Sequence, residues 1–153
     1  LRRWIEAEHT PWCQRSRFAK PARYRWTKKL AGKSLRKRIG PLNIGALLRL
    51  KIEQRGVSGR VIALRLEGTS GTTRIASELA IRRLFGNLNS SLFVVRIQRN
   101  AAAEITAVTF DGRGWGHGVG MCQMGAIGLA EAGKTAQEIL GHYYGGAQVQ
   151  RAY

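Results

Sequence analysis

The sequence predicts an α+β fold of antiparallel strands and short helices, and three patterns lead to that prediction. Residues 48–53 and 62–67 each alternate apolar and charged side chains around a turn with two glycines, which is typical of an antiparallel hairpin. Residues 92–97 and 105–111 are rich in apolar and β-branched side chains and predict two further strands. Helical spacing after residue 121 predicts a C-terminal helix pair, so a glycine-rich loop separates the last strand from those helices.

The other elements follow from local patterns. The run 92–97 is apolar enough for a central strand. Thr135 and Glu138 have the spacing of a capping box at the start of the last helix, which Gly145 and Gly146 end. Residues 1–45 are irregular and basic, and the remaining elements are a strand over 24–27, a helix over 34–39, a strand over 72–75, and a helix capped by Ser77 and ended by Gly86.

Composition limits the kinds of partner. A chain of 153 residues is one domain or one lobe, over residues 1–153, and we expect a processed or truncated piece because it begins with Leu1. The net charge is +17, and residues 1–38 hold 13 of the 26 basic residues but only 2 of the 9 acidic ones. Such a field attracts nucleic acid, an anionic membrane surface or an anionic cell wall. No apolar stretch is long enough to span a bilayer.

Six glycines lie within residues 112–125, and every second residue from Gly112 to Gly120 is glycine. Because glycine loses the most backbone entropy on folding, the repetition needs a reason. Either a bare extended face lets another molecule or chain approach, or several turns with positive φ are required. We therefore expect a ligand groove or a buried crossing chain. No Lys-Ser/Thr pair follows the last glycine, which argues against a phosphate-binding loop for nucleotides.

Four side chains of this segment are candidate ligand-binding residues. Trp115 suits stacking on a sugar or a base, or else plugs the core. Arg113 pairs with a carboxylate or phosphate, or is simply solvated. His117 is a metal ligand, an acid–base group or a hydrogen-bond donor, although a lone histidine is usually structural. Gln123 donates to a ligand oxygen or to the end of the next helix.

Catalytic groups are harder to find. Glycoside hydrolysis ordinarily needs a pair of carboxylates, and only Asp111 and Glu8 lie in unusual contexts. No serine or cysteine triad can be assembled, so the catalytic residue is unknown and a binding groove is clearer than a catalytic centre. Cys13 and Cys122 form a disulfide, share a metal with ligands elsewhere, or are two inert buried thiols.

The segment 112–126, followed by 138–140 and 142–145, closely resembles the C-terminal signature of the stage II sporulation protein D / LytB amidase-enhancer family. Pro11-Trp12-Cys13, Tyr24-Arg25-Trp26 and Ser58-Gly59-Arg60 are similar to that family in order and spacing, as are residues 81–93. The resemblance implies an exported cell-envelope protein, and it makes this chain the C-terminal half of the family domain.

The resemblance also implies an activity. Members act as lytic transglycosylases on peptide-free peptidoglycan glycan strands, or they enhance a partner amidase. Their catalytic glutamate lies in an Ala-Glu-Met-Pro-like stretch, which Glu8 imitates poorly, so we expect this piece to lack it. Some members bind zinc through His and Cys, and Cys13 and Cys122 would then join that zinc site or pair with each other.

Three functions compete at this point. The leading hypothesis is binding and cleavage of glycan strands, with Arg113, Trp115, His117 and Gln123 as substrate-binding residues. The second is a non-catalytic wall-binding module that enhances an amidase. The third is a nucleic-acid-binding domain, which the charge favours, although we expect no nucleic-acid partner because no recognised reader motif is present.

Overall fold

The computed structural model of the protein describes residues 1–150, so the last three residues of the expected 1–153 domain lie outside the description. The α+β fold class is confirmed, with two antiparallel sheets of three strands each. The elements, in chain order, are α1 (Arg2–Glu6), α2 (Trp12–Arg15), α3 (Pro21–Tyr24), β1 (Arg25–Ala31), α4 (Gly32–Ile39), β2 (Leu47–Arg55), β3 (Val61–Gly68), β4 (Gly71–Ala76), α5 (Glu78–Leu84), β5 (Phe93–Arg99), β6 (Ile105–Arg113), α6 (Gln123–Glu131) and α7 (Ala136–Tyr143).

The two sheets are a β2–β3–β4 meander and a sheet in the order β1–β6–β5. The predicted hairpin is the pair β2–β3, in which Leu50 lies opposite Leu66. The run 92–97 was expected to be a central strand, and that expectation is wrong. Its strand, β5, lies at the sheet edge because β6 pairs with β1 on one side and β5 on the other.

One hydrophobic core joins both sheets to helices α4 and α5. Its centre is a trio of fully buried phenylalanines: the rings of Phe85 and Phe110 lie 4.6 Å apart, and those of Phe93 and Phe110 lie 5.1 Å apart. Because Phe110 lies on β6 and that strand ends three residues later at Arg113, this core fixes the point at which the glycine-rich loop leaves the sheet.

Some of the helix caps and short elements predicted from local sequence patterns are confirmed, and others are not. The capping box is confirmed: the Glu138 N–H donates to Thr135 Oγ1 (3.3 Å), and the Thr135 N–H donates to Glu138 Oε2 (2.8 Å). Ser77 is correctly placed before α5, but its side chain makes no capping hydrogen bond and its φ is +101°. The region 1–45 contains three short helices that were not predicted, α1 to α3. Its predicted strand and helix are present and longer than expected, as β1 (Arg25–Ala31) and α4 (Gly32–Ile39). Within residues 1–150, no helix combines the length and apolar character needed to cross a membrane.

Candidate functional site

The glycine loop, which we define as residues 114–122 between β6 and α6, is not an extended ribbon. Its alternate glycines all have positive φ, between +64° and +76°, at positions 114, 116, 118 and 120. Residues other than glycine rarely adopt this left-handed backbone conformation. The expected bare extended face is therefore wrong, and the alternative of repeated positive-φ turns is confirmed.

Three hydrogen bonds hold the first half of the loop against neighbouring segments. The Gly114 N–H donates to the Tyr24 carbonyl (2.7 Å), and the indole N–H of Trp26 donates to the Gly114 carbonyl (3.0 Å). The Gly116 N–H donates to the Asn89 carbonyl (2.8 Å). These bonds connect the start of the loop to the end of α3, to β1 and to the segment between α5 and β5.

Gly112, just before the loop, allows the Trp26 ring to lie directly against the backbone of β6. It lies opposite Trp26 in the β1–β6 ladder, and a Cβ atom at Gly112 would overlap the Trp26 ring. Any larger residue there would displace that indole, which is both part of the core and an anchor of the loop.

The second half of the loop makes fewer contacts and lies open to solvent. The Met121 N–H donates to the Tyr144 hydroxyl (3.3 Å), and the Val119 N–H donates to Nδ1 of His117 (3.0 Å). Because Nδ1 of His117 accepts this bond, the neutral ring carries its proton on Nε2. The exposed His117 therefore offers an N–H donor to a ligand.

Trp115 lies on the surface, where 59% of it is exposed. This excludes the alternative in which it plugs the core. The Arg23 guanidinium carbon lies 5.2 Å from the centre of the ring, so an arginine supports the indole while much of the ring remains free. Gln123 is exposed as the first residue of α6, and a ligand at the end of the loop could reach it.

Arg113 differs from both expectations for it. Its side chain is buried, and it donates from Nε to the Ile5 carbonyl (2.7 Å) and from Nη2 to the Ala7 carbonyl (2.6 Å). Its guanidinium carbon also lies 5.5 Å from the centre of the Tyr24 ring. Burial lowers the pKa of Arg113 below its usual range. Arg113 joins α1 to β6, so we remove it from the candidate ligand-binding residues.

Arg60, in the turn between β2 and β3, contacts the glycine loop and was not among the predicted site residues. A Cβ atom at Gly118 would overlap the Arg60 guanidinium, and one at Gly114 would lie 3.5 Å from its Nη2. The segment Ser58-Gly59-Arg60 was noticed only as part of the family resemblance. Nothing local in the sequence indicates that a hairpin turn reaches a loop more than 50 residues later.

The two cysteines are neighbours in space. Helix α2 packs on α6 so closely that a Cβ atom at Gly128 would overlap the Trp12 carbonyl oxygen. The two thiols interact, and the interaction with Cys122 raises the pKa of Cys13. Both thiols are free, and Cys122 is exposed. The alternative of two inert buried thiols is therefore wrong.

Cys122 is the more acidic thiol of the pair. It occupies the N-cap of α6, and its pKa is lowered to about 6. The largest cause is the interaction with the Cys13 thiol, followed among the lowering causes by the backbone N–H groups of Gly125 and Met124 and the charge of Arg60. Within residues 1–150, no group of three or more His, Cys, Asp or Glu side chains is arranged to hold a metal ion.

The acidic side chains are all engaged. Asp111 accepts hydrogen bonds from Arg96 (2.7 Å) and Thr27 (2.9 Å), and the Arg96 guanidinium holds the pKa of that carboxyl below its usual range. Glu8 is paired with Arg25. The other acids are Glu6, Glu53, Glu67, Glu78, Glu131 and Glu138, each in an ion pair with Arg or Lys, and Glu104, which accepts from Asn100.

A cleft of about 350 Å³ opens beside the start of the loop. Its charged lining residues are Glu6, Arg25, Arg96 and Asp111, and each of them is already in an ion pair. Neither Trp115 nor His117 lines this cleft. The exposed candidates therefore form a surface along the loop rather than the wall of this cavity.

A protein family described as "Domain of unknown function (DUF8618)" matches residues 13–120, which is more than half of the chain. The chain belongs to this family. An uncharacterised protein of Brachyspira hyodysenteriae is 34% identical to this DUF8618 chain over 92 residues, 60% of the chain and 23% of that protein.

Two sporulation proteins are also similar. Stage II sporulation protein D of Bacillus subtilis is 49% identical over 45 residues, and that of Bacillus amyloliquefaciens is 47% identical over 45 residues. Each match covers 29% of this chain and 13% of the relative. The expected resemblance is therefore supported over part of the chain, and the DUF8618 chain aligns with less than a quarter of the length of these relatives.

Proposed function

We propose that the glycine loop binds the glycan strands of peptidoglycan, in an exported protein of the cell envelope. The observation that carries this proposal is the exposed Trp115 on a surface loop fastened at both ends. An exposed indole provides an apolar face for a sugar ring, and positive-φ glycines keep the neighbouring backbone free of side chains. The partial similarity to stage II sporulation proteins supports the same conclusion.

Polar groups beside the indole fit the hydroxyl and amide groups of a glycan. His117 offers its Nε2–H as a donor, and Gln123 offers an amide that both donates and accepts. The net charge of +17 attracts an anionic wall over a longer range. In this proposal the positive charge of the chain attracts it to the anionic wall, and Trp115, His117 and Gln123 bind the glycan strand.

Binding fits this chain better than cleavage by its own residues. A lytic transglycosylase needs a carboxylic acid that gives and takes a proton. All nine acidic side chains are already in ion pairs or hydrogen bonds. We therefore propose a wall-binding role for this chain, and cleavage by a lytic transglycosylase mechanism, enhancement of an amidase and any zinc site remain proposals for the whole protein.

A co-sedimentation experiment with peptide-free glycan strands tests the proposal. We expect the chain to sediment with the strands at 0.15 M salt and a Trp115→Ala variant to sediment less. Mass spectrometry of the same mixture for 1,6-anhydro ends separates binding from cleavage. If duplex DNA competes with the strands and displaces the chain completely at that salt concentration, the nucleic-acid hypothesis replaces this one.

A further inference from the structure

Arg60 is a positive charge held directly against the glycine loop. Its guanidinium occupies the space that a Cβ at Gly118 would need, and its Nη2 is close to Gly114. The turn between β2 and β3 therefore lies against the loop on the side where glycine leaves the backbone bare. A ligand that lies along the loop meets this guanidinium within a few residues of Trp115.

The charge of Arg60 has no carboxylate partner within residues 1–150. Its Nε atom is fully buried without a hydrogen-bond partner, and none of the ion pairs of the described residues includes it. Glu78, a nearby acid, is in an ion pair with Arg82, which is itself a second positive charge. The Cys122 thiol is the other ionisable neighbour. A guanidinium keeps its charge when buried, so this site favours an anion.

The loop adds donors beside that charge. The backbone N–H groups of Gly118 and Gly120 have no hydrogen-bond partner within residues 1–150. The Val119 N–H between them already donates to His117 Nδ1, so Gly118 and Gly120 provide two separate backbone donors that an anion can satisfy. The planar guanidinium matches a carboxylate with two parallel N–H···O bonds, which a lysine cannot reproduce.

We propose that Arg60 and the N–H groups of the glycine loop form a carboxylate subsite for the acidic sugar of the glycan strand. This inference rests on the proposed function and names the chemistry that the site selects. In peptidoglycan the carboxylate belongs to the lactyl group of muramic acid, and it is free once the peptide has been removed. Trp115 holds an apolar sugar face, and Arg60 distinguishes a strand with free carboxylates from a neutral one.

Glycan strands whose lactyl carboxylates have been reduced to alcohols provide the test. We expect the unaltered chain to bind native peptide-free strands at least tenfold more tightly than reduced strands. Arg60→Gln should remove this preference, and Arg60→Lys should keep part of it. Arg83→Gln is the matched control, because Arg83 is exposed, forms no ion pair among the described residues, and carries the same charge.

Each outcome separates the two proposals. Equal binding of native and reduced strands by the unaltered chain overturns the carboxylate subsite and leaves glycan binding in place. No binding of either strand overturns the proposed function itself. A preference that survives in Arg60→Gln, or that Arg83→Gln removes equally, also overturns the subsite. The comparison on the unaltered chain needs no variant, so it stands even if Arg60→Gln fails to fold.

Discussion

Replacing Gly118 by alanine tests whether the loop backbone and Arg60 are packed together. Gly118 has a φ of +64°, and its new Cβ would overlap the Arg60 guanidinium. Gly116 is a matched control, because it has a φ of +76° and nothing lies within 4 Å of its Cβ position. Both substitutions force alanine into the left-handed region, but only Gly118→Ala also displaces a neighbour.

The two contributions can be estimated separately. A left-handed residue other than glycine costs about 1–2 kcal/mol, which both variants share. Forcing an extra carbon into a packed site costs about 1–3 kcal/mol more, which only Gly118→Ala pays. The Arg60 side chain has limited room to yield because its Nε is fully buried. We therefore expect losses of about 1–2 kcal/mol for Gly116→Ala and ~2–5 kcal/mol for Gly118→Ala.

Urea unfolding followed by tryptophan fluorescence measures both losses, and glycan co-sedimentation measures binding. The double variant Gly118→Ala/Arg60→Ala should recover most of the additional loss, since the overlapping group is then absent. If Gly116→Ala and Gly118→Ala lose the same stability, and Gly118→Ala/Arg60→Ala is no more stable than Gly118→Ala, then Arg60 does not pack against Gly118.

Four further predictions concern other parts of the chain. Trp115→Ala should weaken glycan binding about tenfold, ~1.4 kcal/mol, without changing the circular dichroism spectrum, because the side chain is exposed. Arg113→Gln should lower the free energy of unfolding by about 3 kcal/mol in urea titrations, because it removes two hydrogen bonds from a buried charge. Iodoacetamide should alkylate Cys122 with a midpoint near pH 6 and leave Cys13 slow, as read by mass spectrometry. The pKa of Glu138 is lowered from its ordinary value of 4.5 to about 2. The ionised carboxylate therefore stabilises the fold fully above pH 4.5, and this stabilisation disappears as the pH falls towards 2. The free energy of unfolding of Glu138→Gln should lack this part of the pH dependence.

Each of these predictions has an outcome that contradicts it. Unchanged binding by Trp115→Ala removes the stacking role, and unchanged stability of Arg113→Gln removes the link between α1 and β6. An alkylation midpoint near pH 9 means that Cys122 is an ordinary thiol. For Glu138, the comparison is the difference between the unaltered chain and Glu138→Gln at each pH, so the titration of the other carboxylates cancels. Parallel curves would show that the capping box has no such effect.

Prediction from the sequence succeeds where a structure depends on contacts close in the chain. The β2–β3 hairpin and the capping box of Thr135 both follow from neighbouring residues. The hairpin is predicted by the alternation of apolar and charged residues, and the capping box by the spacing of Thr135 and Glu138. Ser77 is the exception, because its position before α5 is correct but its side chain makes no cap.

The candidate site was predicted less completely, and the errors share one cause. Whether Arg113 is solvated or buried depends on the carbonyls of Ile5 and Ala7, more than 100 residues away in the chain. Arg60 was missed for the same reason. A side chain that contacts a distant segment leaves no periodic pattern in its own neighbourhood.

The sequence by itself determined that this chain has antiparallel strands, short helices and one glycine-rich loop between the last strand and the last two helices, because each depends on the intrinsic geometry of nearby residues. Only the structure showed that the loop glycines adopt the left-handed conformation. The tertiary structure decided which side chains of the loop are exposed and which cation lies beneath it. It also placed Cys13 beside Cys122. Burial and charge pairing depend on segments far apart in the chain, and only folding brings those segments together.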